Sequence, residues 1–412
     1  MTVRRSFLLA VALVGLHLAD DSFFQPQPGT SAGDHLVSGL LPLLGLALAA
    51  HAHSHARPGG QAVIALVVGV LGIGFGSEAV RYWSDVGLSG DDYTGVASMG
   101  AGIVLIALAA VTLWRSRRLD DRRAWRYSRR ALLSLAGIVV LVELLMPVII
   151  GYATTHIARS AKDIGALELP HVDVTLTTSD DLRLPGWYVP SRNGAAVIVF
   201  PGREGRQAYA RMLARRGYGV LLFDRRGEGE AEGDPEGFGW NFDKDIEAGI
   251  EFLKGRRDVD PVRIGGLGLS VGGEMMLDTA SRTSDLAAIV SEGAGARTLS
   301  EELADQSGPG KLLSAPFFAV KTASVALFSD TMPPENLETL IPRITPRPVF
   351  LINAAHNEVD DKGPEYFAAA EEPKQRWLVP EGGHTGGITA MPKEYERRVV
   401  GFFDRWLLQR PD

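Results

Sequence analysis

The sequence predicts a bundle of about five apolar helices followed by an α/β domain with a mostly parallel sheet. Three observations point there. The first 155 residues hold five long apolar stretches, and the rest alternates strand-like runs with helix-like periods. The two parts also differ in charge. Through residue 155 there are 12 Arg, no Lys and 10 Asp or Glu, a net of +2. The remainder carries 30 basic and 39 acidic residues, a net of −9, so the overall −7 describes neither part. With no Cys, a thiol nucleophile, a disulfide framework and thiolate metal sites are excluded. The acidic second part argues against broad binding of nucleic acid, which needs a basic face. A charged fraction of only 22% argues against disorder.

Each apolar stretch approaches the roughly 20 residues that a bilayer core requires. Four of them are 36–50, 61–80, 94–114 and 131–152. A fifth, 6–19, follows Arg4 and Arg5; it reads as a span, with a cleaved signal as the alternative. Lys and Arg in short loops set orientation. Arg4, Arg5, Arg57 and eight Arg between 115 and 130 fall on one side, against Arg81, Arg159 and Lys162 on the other. Eleven against three places the first group in the cytoplasm and everything after about residue 155 outside it. Glu143, near the middle of the last span, is an intramembrane carboxylate, a type that often serves function. His51, His53 and His55 alternate beside the second span and read as an interfacial loop rather than a metal site, since no nearby carboxylate or Cys completes one.

A linker over 156–170 leads to the second domain, 171–412. There 172–177 alternates like a half-exposed strand, with 182–189 as its antiparallel partner. The continuous apolar run 195–200 marks a strand buried on both faces. Further strands are expected at 220–223, 263–267, 286–290 and 349–353, separated by helices at 207–216, 244–254 and 272–282. An amphipathic helix at 394–408 closes the chain. Strand–helix alternation implies helices on both faces of the sheet. The interval 293–345 is too long and apolar for a bare loop, so a small helical cap is expected there.

Chemistry concentrates at Gly268-Leu269-Ser270-Val271-Gly272, directly after a strand and before a helix. A serine on such a turn is held exposed, and small neighbours prevent clashes with strand and helix. Its hydroxyl needs a base, and the base needs an orienting acid. His384, in the loop PEGGHT after the last strand, is the candidate base. His156 and His171 precede the sheet, and His356 lies in the acid loop.

Residues 171–412 resemble the α/β-hydrolase superfamily, in the branch of serine-aminopeptidase-like and esterase-like hydrolases. The resemblance rests on VIVFPGREG, VLLFDRRGEGEAEGDP, RIGGLGLSVGGE, RPVFLINAAHNEVD and VPEGGHTGG. It implies Ser270 as nucleophile and His384 as base. At the usual acid position stands Asn357, which carries no negative charge, so the role passes to Glu358, with Asp360 or Asp361 as alternatives. The oxyanion donors implied are the backbone N–H groups of Val271 and Arg203, where Pro201-Gly202 replaces the usual His-Gly. The Asp224–Gly229 loop is expected to be structural.

A membrane-anchored serine hydrolase acting on an ester, lipid-like or peptide acyl bond is therefore expected, with no metal or organic cofactor. The rival is a non-catalytic membrane binding or sensor protein on a degenerate hydrolase fold, favoured by Asn357 and Pro201.

Overall fold

The computed structural model describes residues 3–409 apart from 86–91, 117–122, 158, 160–165, 204, 305, 307 and 357–361. The chain forms two compact units. One comprises Met1–Ala161, Asp234–Glu236 and Leu303–Met332; the other comprises Lys162–Gly233, Gly237–Glu302 and Pro333–Asp412.

The first unit is helical. Its N-terminal elements are α1 (Val3–Ala19), α2 (Leu36–His55), α3 (Pro58–Asp85), α4 (Asp92–Arg115), α5 (Arg123–Val140) and α6 (Met146–Thr155). Among the described residues six helices are long and apolar enough to cross a membrane: Val3–Phe24, Leu36–His55, Pro58–Val80, Tyr93–Arg115, Tyr127–Thr155 and Gly308–Phe328. Glycine lets α3 and α4 touch backbone to backbone. A Cβ on Gly69 would stand 2.8 Å from the Gly102 carbonyl oxygen, and one on Gly102 would stand 2.5 Å from that of Gly69. The Ser98 hydroxyl adds a 2.9 Å hydrogen bond to the Gly72 carbonyl oxygen. Small residues and interhelical hydroxyls of this kind are how helices associate where lipid offers no hydrophobic contrast.

Two expectations change here, the histidine loop and the single cap, and Glu143 gains a setting. His51, His53 and His55 lie within α2 and not in a loop. The apolar helix continues through them, and His53 is buried with its ring stacked on Phe7 at 3.6 Å between centroids. Glu143 sits in a π-helical turn, Leu141–Leu145, between α5 and α6; one of its carboxylate oxygens is shielded from solvent and has no hydrogen-bond partner among the described residues. The stretch 293–345 is helical but does not form one cap. Its longest helix, Gly308–Phe328, belongs to the helical unit. Phe328 packs edge-on against Tyr152 and Phe75, and Ser324 lies so close to Gly151 that a Cβ there would stand 2.5 Å from the Ser324 Cβ. Only the last part of this helix is buried, through Ser324, Val325 and Phe328, while Leu312 and Leu313 near its start stay exposed.

The second unit is an α/β domain built on one mostly parallel sheet. Its eight strands are β1 (Val172–Thr177), β2 (Arg183–Val189), β3 (Ala196–Phe200), β4 (Gly219–Phe223), β5 (Ile264–Leu269), β6 (Ala288–Glu292), β7 (Val349–Ala354) and β8 (Lys374–Val379). They form one sheet in the order β1-β2-β4-β3-β5-β6-β7-β8. β2 pairs antiparallel with β1 and β4; every later pairing is parallel. The connections carry α7 (Gln207–Arg215), α8 (Asp243–Lys254), α9 (Val271–Arg282), α10 (Leu299–Ala304), α11 (the Gly308–Phe328 helix), α12 (Leu337–Leu340), α13 (Gly363–Ala369), α14 (Gly387–Ala390) and α15 (Pro392–Phe403).

Alternation along the strands feeds two cores. Ile198 and Phe200 face one, with Phe223, Ile246 and Met276; Val197 and Val199 face the other, with Leu213, Val290 and Phe403. Every residue of β3, β4 and β5 is buried, which is why these strands read as unbroken apolar or glycine runs. α12 and the turn Ile341–Ile344 return to the first of these cores through Leu337, Leu340, Ile341 and Ile344.

Candidate active site

β3 has β4 on one side and β5 on the other, so the winding direction reverses there. In open α/β sheets the crevice beyond the carboxyl ends of the strands at such a point is where ligands bind. Ser270 emerges at the end of β5 with φ 54° and ψ −127°, a strained conformation for a non-glycine residue. The turn is fastened by its own backbone: the Ser270 N–H donates to the Glu292 carbonyl oxygen at 2.8 Å, and the Gly273 N–H donates to the Ser270 carbonyl oxygen at 2.7 Å. Its glycines have steric causes. A Cβ on Gly268 would collide with the Gly272 carbonyl, and one on Gly273 would stand 2.6 Å from the Ser291 Oγ. Ser270 is the N-cap residue of α9, yet its side chain makes no capping hydrogen bond. The hydroxyl is left for another partner.

That partner is His384. Its Nε2 lies 2.7 Å from the Ser270 Oγ, although 114 residues separate them. The base sits in the loop between β8 and α14, where Thr385 has φ 51°. The Gly386 N–H closes a turn onto the Gly383 carbonyl oxygen at 2.9 Å. The imidazole packs over Gly293, where a Cβ would stand 2.9 Å from its Cε1 and 3.1 Å from its Nδ1. Both side chains are only partly buried, so a small molecule can reach the pair. A hydroxyl in this contact can pass its proton to the imidazole as the oxygen attacks a carbonyl.

Glu358, Asp360, Asp361 and Asn357 lie outside the described residues. Val271 opens α9, so its N–H is one of the helix-start donors without an intrahelical acceptor, at the positive end of the helix dipole. The expectation for Arg203 needs correction. Its N–H donates to the Asp224 Oδ1 at 3.1 Å, while its Nε and Nη2 reach Oδ2 at 3.0 and 2.6 Å. Main chain and side chain thus clasp one buried carboxylate, and the amide already has an acceptor. The loop 224–229 is structural through a second clamp as well. The Arg226 N–H and Nε donate to the buried Asp245 at 2.9 and 2.8 Å, and its Nη1 reaches Asp180 at 3.0 Å. Only the register of carboxylates against guanidinium groups, invisible without the fold, reveals these pairs.

Sheet order, strained serine turn and facing histidine define a protein of the α/β-hydrolase class. The chain belongs to the X-Pro dipeptidyl-peptidase (S15) family, which it matches over residues 152–378. His384 lies beyond that match, so its placement rests on geometry. The chain is 28% identical to the uncharacterised protein YfhR of Escherichia coli (strain K12) over 247 residues, 56% of this chain and 79% of that protein. It is 30% identical to the alpha/beta hydrolase domain-containing protein WAV2 of Arabidopsis thaliana over 151 residues, 34% of this chain and 47% of that one. Among solved structures, the Pyrococcus furiosus esterase Pf2001 aligns with a TM-score of 0.48 at 23% identity, over 60% of this chain and 98% of its own.

Proposed function

We propose that this protein is a membrane-anchored serine hydrolase that cleaves an ester or amide bond through an acyl-enzyme. The observation that carries the proposal is the 2.7 Å contact between His384 Nε2 and Ser270 Oγ at a strained strand-to-helix turn. Ser270 Oγ attacks the substrate carbonyl carbon as its proton passes to His384. The oxyanion forms beside the Val271 N–H at the start of α9. His384 then gives the proton to the leaving alcohol or amine as the acyl bond breaks. Water, deprotonated by the same imidazole, releases the acid and restores Ser270. Glu358, with Asp360 as the alternative, orients and balances the imidazolium. The substrate is a small acyl ester, a lipid-like ester or a peptide; the family supports the peptide.

The five long apolar helices within residues 3–155 support anchoring in a bilayer, and the excess of Arg on the side of Arg4, Arg5 and the 115–130 loop supports an extracytoplasmic hydrolase unit. Protease added to intact cells or spheroplasts should digest residues 170–412. Their protection together with cytoplasmic markers would overturn that orientation.

A fluorophosphonate probe should label the wild-type protein, and Ser270→Ala should remove the label while leaving the thermal unfolding midpoint in place. Failure of the wild type to label would favour a non-catalytic binding protein, for which the engaged Arg203 amide speaks.

A further inference from the structure

We infer that Glu292 is a positioning residue that sets His384 against Ser270, an inference that rests on the serine-hydrolase proposal. Glu292 ends β6 and is almost wholly buried, 2% exposed. A buried carboxylate is costly unless its oxygens are hydrogen-bonded, so its retention calls for a cause. Its main chain and side chain hold different halves of the site. The carbonyl oxygen accepts the Ser270 N–H at 2.8 Å, which fixes the turn that presents the hydroxyl. The side chain reaches the other way: Oε1 accepts the Gly387 N–H at 3.0 Å, three residues after His384, and Oε2 accepts the Tyr395 hydroxyl at 2.6 Å. The next residue, Gly293, is the surface on which the His384 ring rests.

The tie to the histidine loop is doubled from behind. Tyr209 of α7 donates its hydroxyl to the Thr385 carbonyl oxygen at 3.2 Å, and its ring packs edge-on against Tyr395 at 5.7 Å. The loop between β8 and α14 is rich in glycine, with Gly382, Gly383 and Gly386 around His384 and Gly387 opening α14. Such a chain has little intrinsic stiffness. Contacts from Glu292, Tyr395 and Tyr209 supply it. A base displaced by about 1 Å from its nucleophile loses on the order of 100-fold in rate, so a carboxylate that touches neither reacting atom still governs the chemistry.

Fluorophosphonate labelling rates of the full-length protein, normalised to the folded fraction, provide the test. Glu292→Leu removes both side-chain acceptors and should label on the order of 100-fold more slowly than wild type. Glu292→Gln keeps an acceptor for Gly387 and places an amide group where the Tyr395 hydroxyl can accept from it; labelling should return to within about threefold of wild type. Tyr395→Phe removes one hydrogen bond and should slow labelling by about three- to tenfold, and it decides the matter should Glu292→Leu fail to fold. Wild-type rates in Glu292→Leu or in Tyr395→Phe, or a loss in Glu292→Gln as large as in Glu292→Leu, overturn the positioning role. Ser270→Ala in parallel separates the two proposals: a wild type that does not label, or labelling that survives this variant, refutes the hydrolase chemistry itself.

Discussion

Gly272 lies so close to Phe200 that a Cβ at position 272 would stand 2.5 Å from the Phe200 carbonyl oxygen. Helix α9 can start beside the end of β3 only with hydrogen at that position, and the same approach keeps Ser270 at the crossover of the sheet. Gly272→Ala should therefore lower stability by about 3 kcal/mol, the upper range for overpacking against backbone that cannot yield. Thermal or urea unfolding measures it. A variant as stable as wild type, with unchanged probe labelling, would show that α9 can shift without cost.

The Arg226–Asp245 pair should behave as a buried clamp. Burial pushes the Asp245 carboxyl above its ordinary range against the pull of Arg226, while the carboxylates of Asp245 and Asp180 outweigh burial at Arg226 and raise its guanidinium value. Asp245→Ala leaves that guanidinium with Asp180 alone and should cost about 3 kcal/mol. Denaturant midpoints, with unchanged slope, would record the loss. A change under about 0.5 kcal/mol, the range of an ordinary surface substitution, would assign the clamp to specificity of folding instead.

The α/β unit should lose stability in alkali through its tyrosines. Tyr188, Tyr209, Tyr218, Tyr366 and Tyr395 are all held above the ordinary value of 10.0, burial being the largest cause at each. At Tyr395 the neighbouring Glu292 carboxylate adds to burial. The sign follows from linkage. The folded state keeps the phenol proton where the unfolded chain releases it, so stability is fully present below about pH 10 and falls as pH rises toward the folded values. Ring-carbon NMR of these five tyrosines should show no tyrosinate before the unfolding transition. Titration of Tyr395 near pH 10 in the folded protein would contradict its burial.

The glycine seam between α3 and α4 should tolerate no bulk. Gly102→Leu forces a side chain into the space of the Gly69 carbonyl and the Ile73 backbone, and should lower the helical unit's stability by about 1–3 kcal/mol. Loss of resistance to thermal aggregation in detergent measures this. Leu substitution at Gly100, where a Cβ meets nothing within 4 Å, serves as the control and should be neutral.

Local pattern determined a good deal. Apolar run length marked the N-terminal helices, because being long and apolar enough to cross a membrane is a matter of length and composition and not of partners. Unbroken apolar runs marked β3 and β4, because a strand buried on both faces has no polar side to show. The Gly268–Gly272 spacing marked the serine turn, because its steric demands lie within five residues. Tertiary structure decided what depends on who meets whom. Gly308–Phe328 packs within the helical unit, because its partners Gly151, Tyr152 and Phe75 lie far back in the chain. The Arg203 amide is taken by Asp224 and is not held ready as an oxyanion donor, which follows from the register of two neighbouring strand ends. Glu292 lies just past the strand expected at 286–290 and carries no signal of its own in the sequence. Only the fold sets its carbonyl on Ser270 and its carboxylate on the loop of His384, since hydrogen bonds between distant residues leave no periodic trace in a sequence.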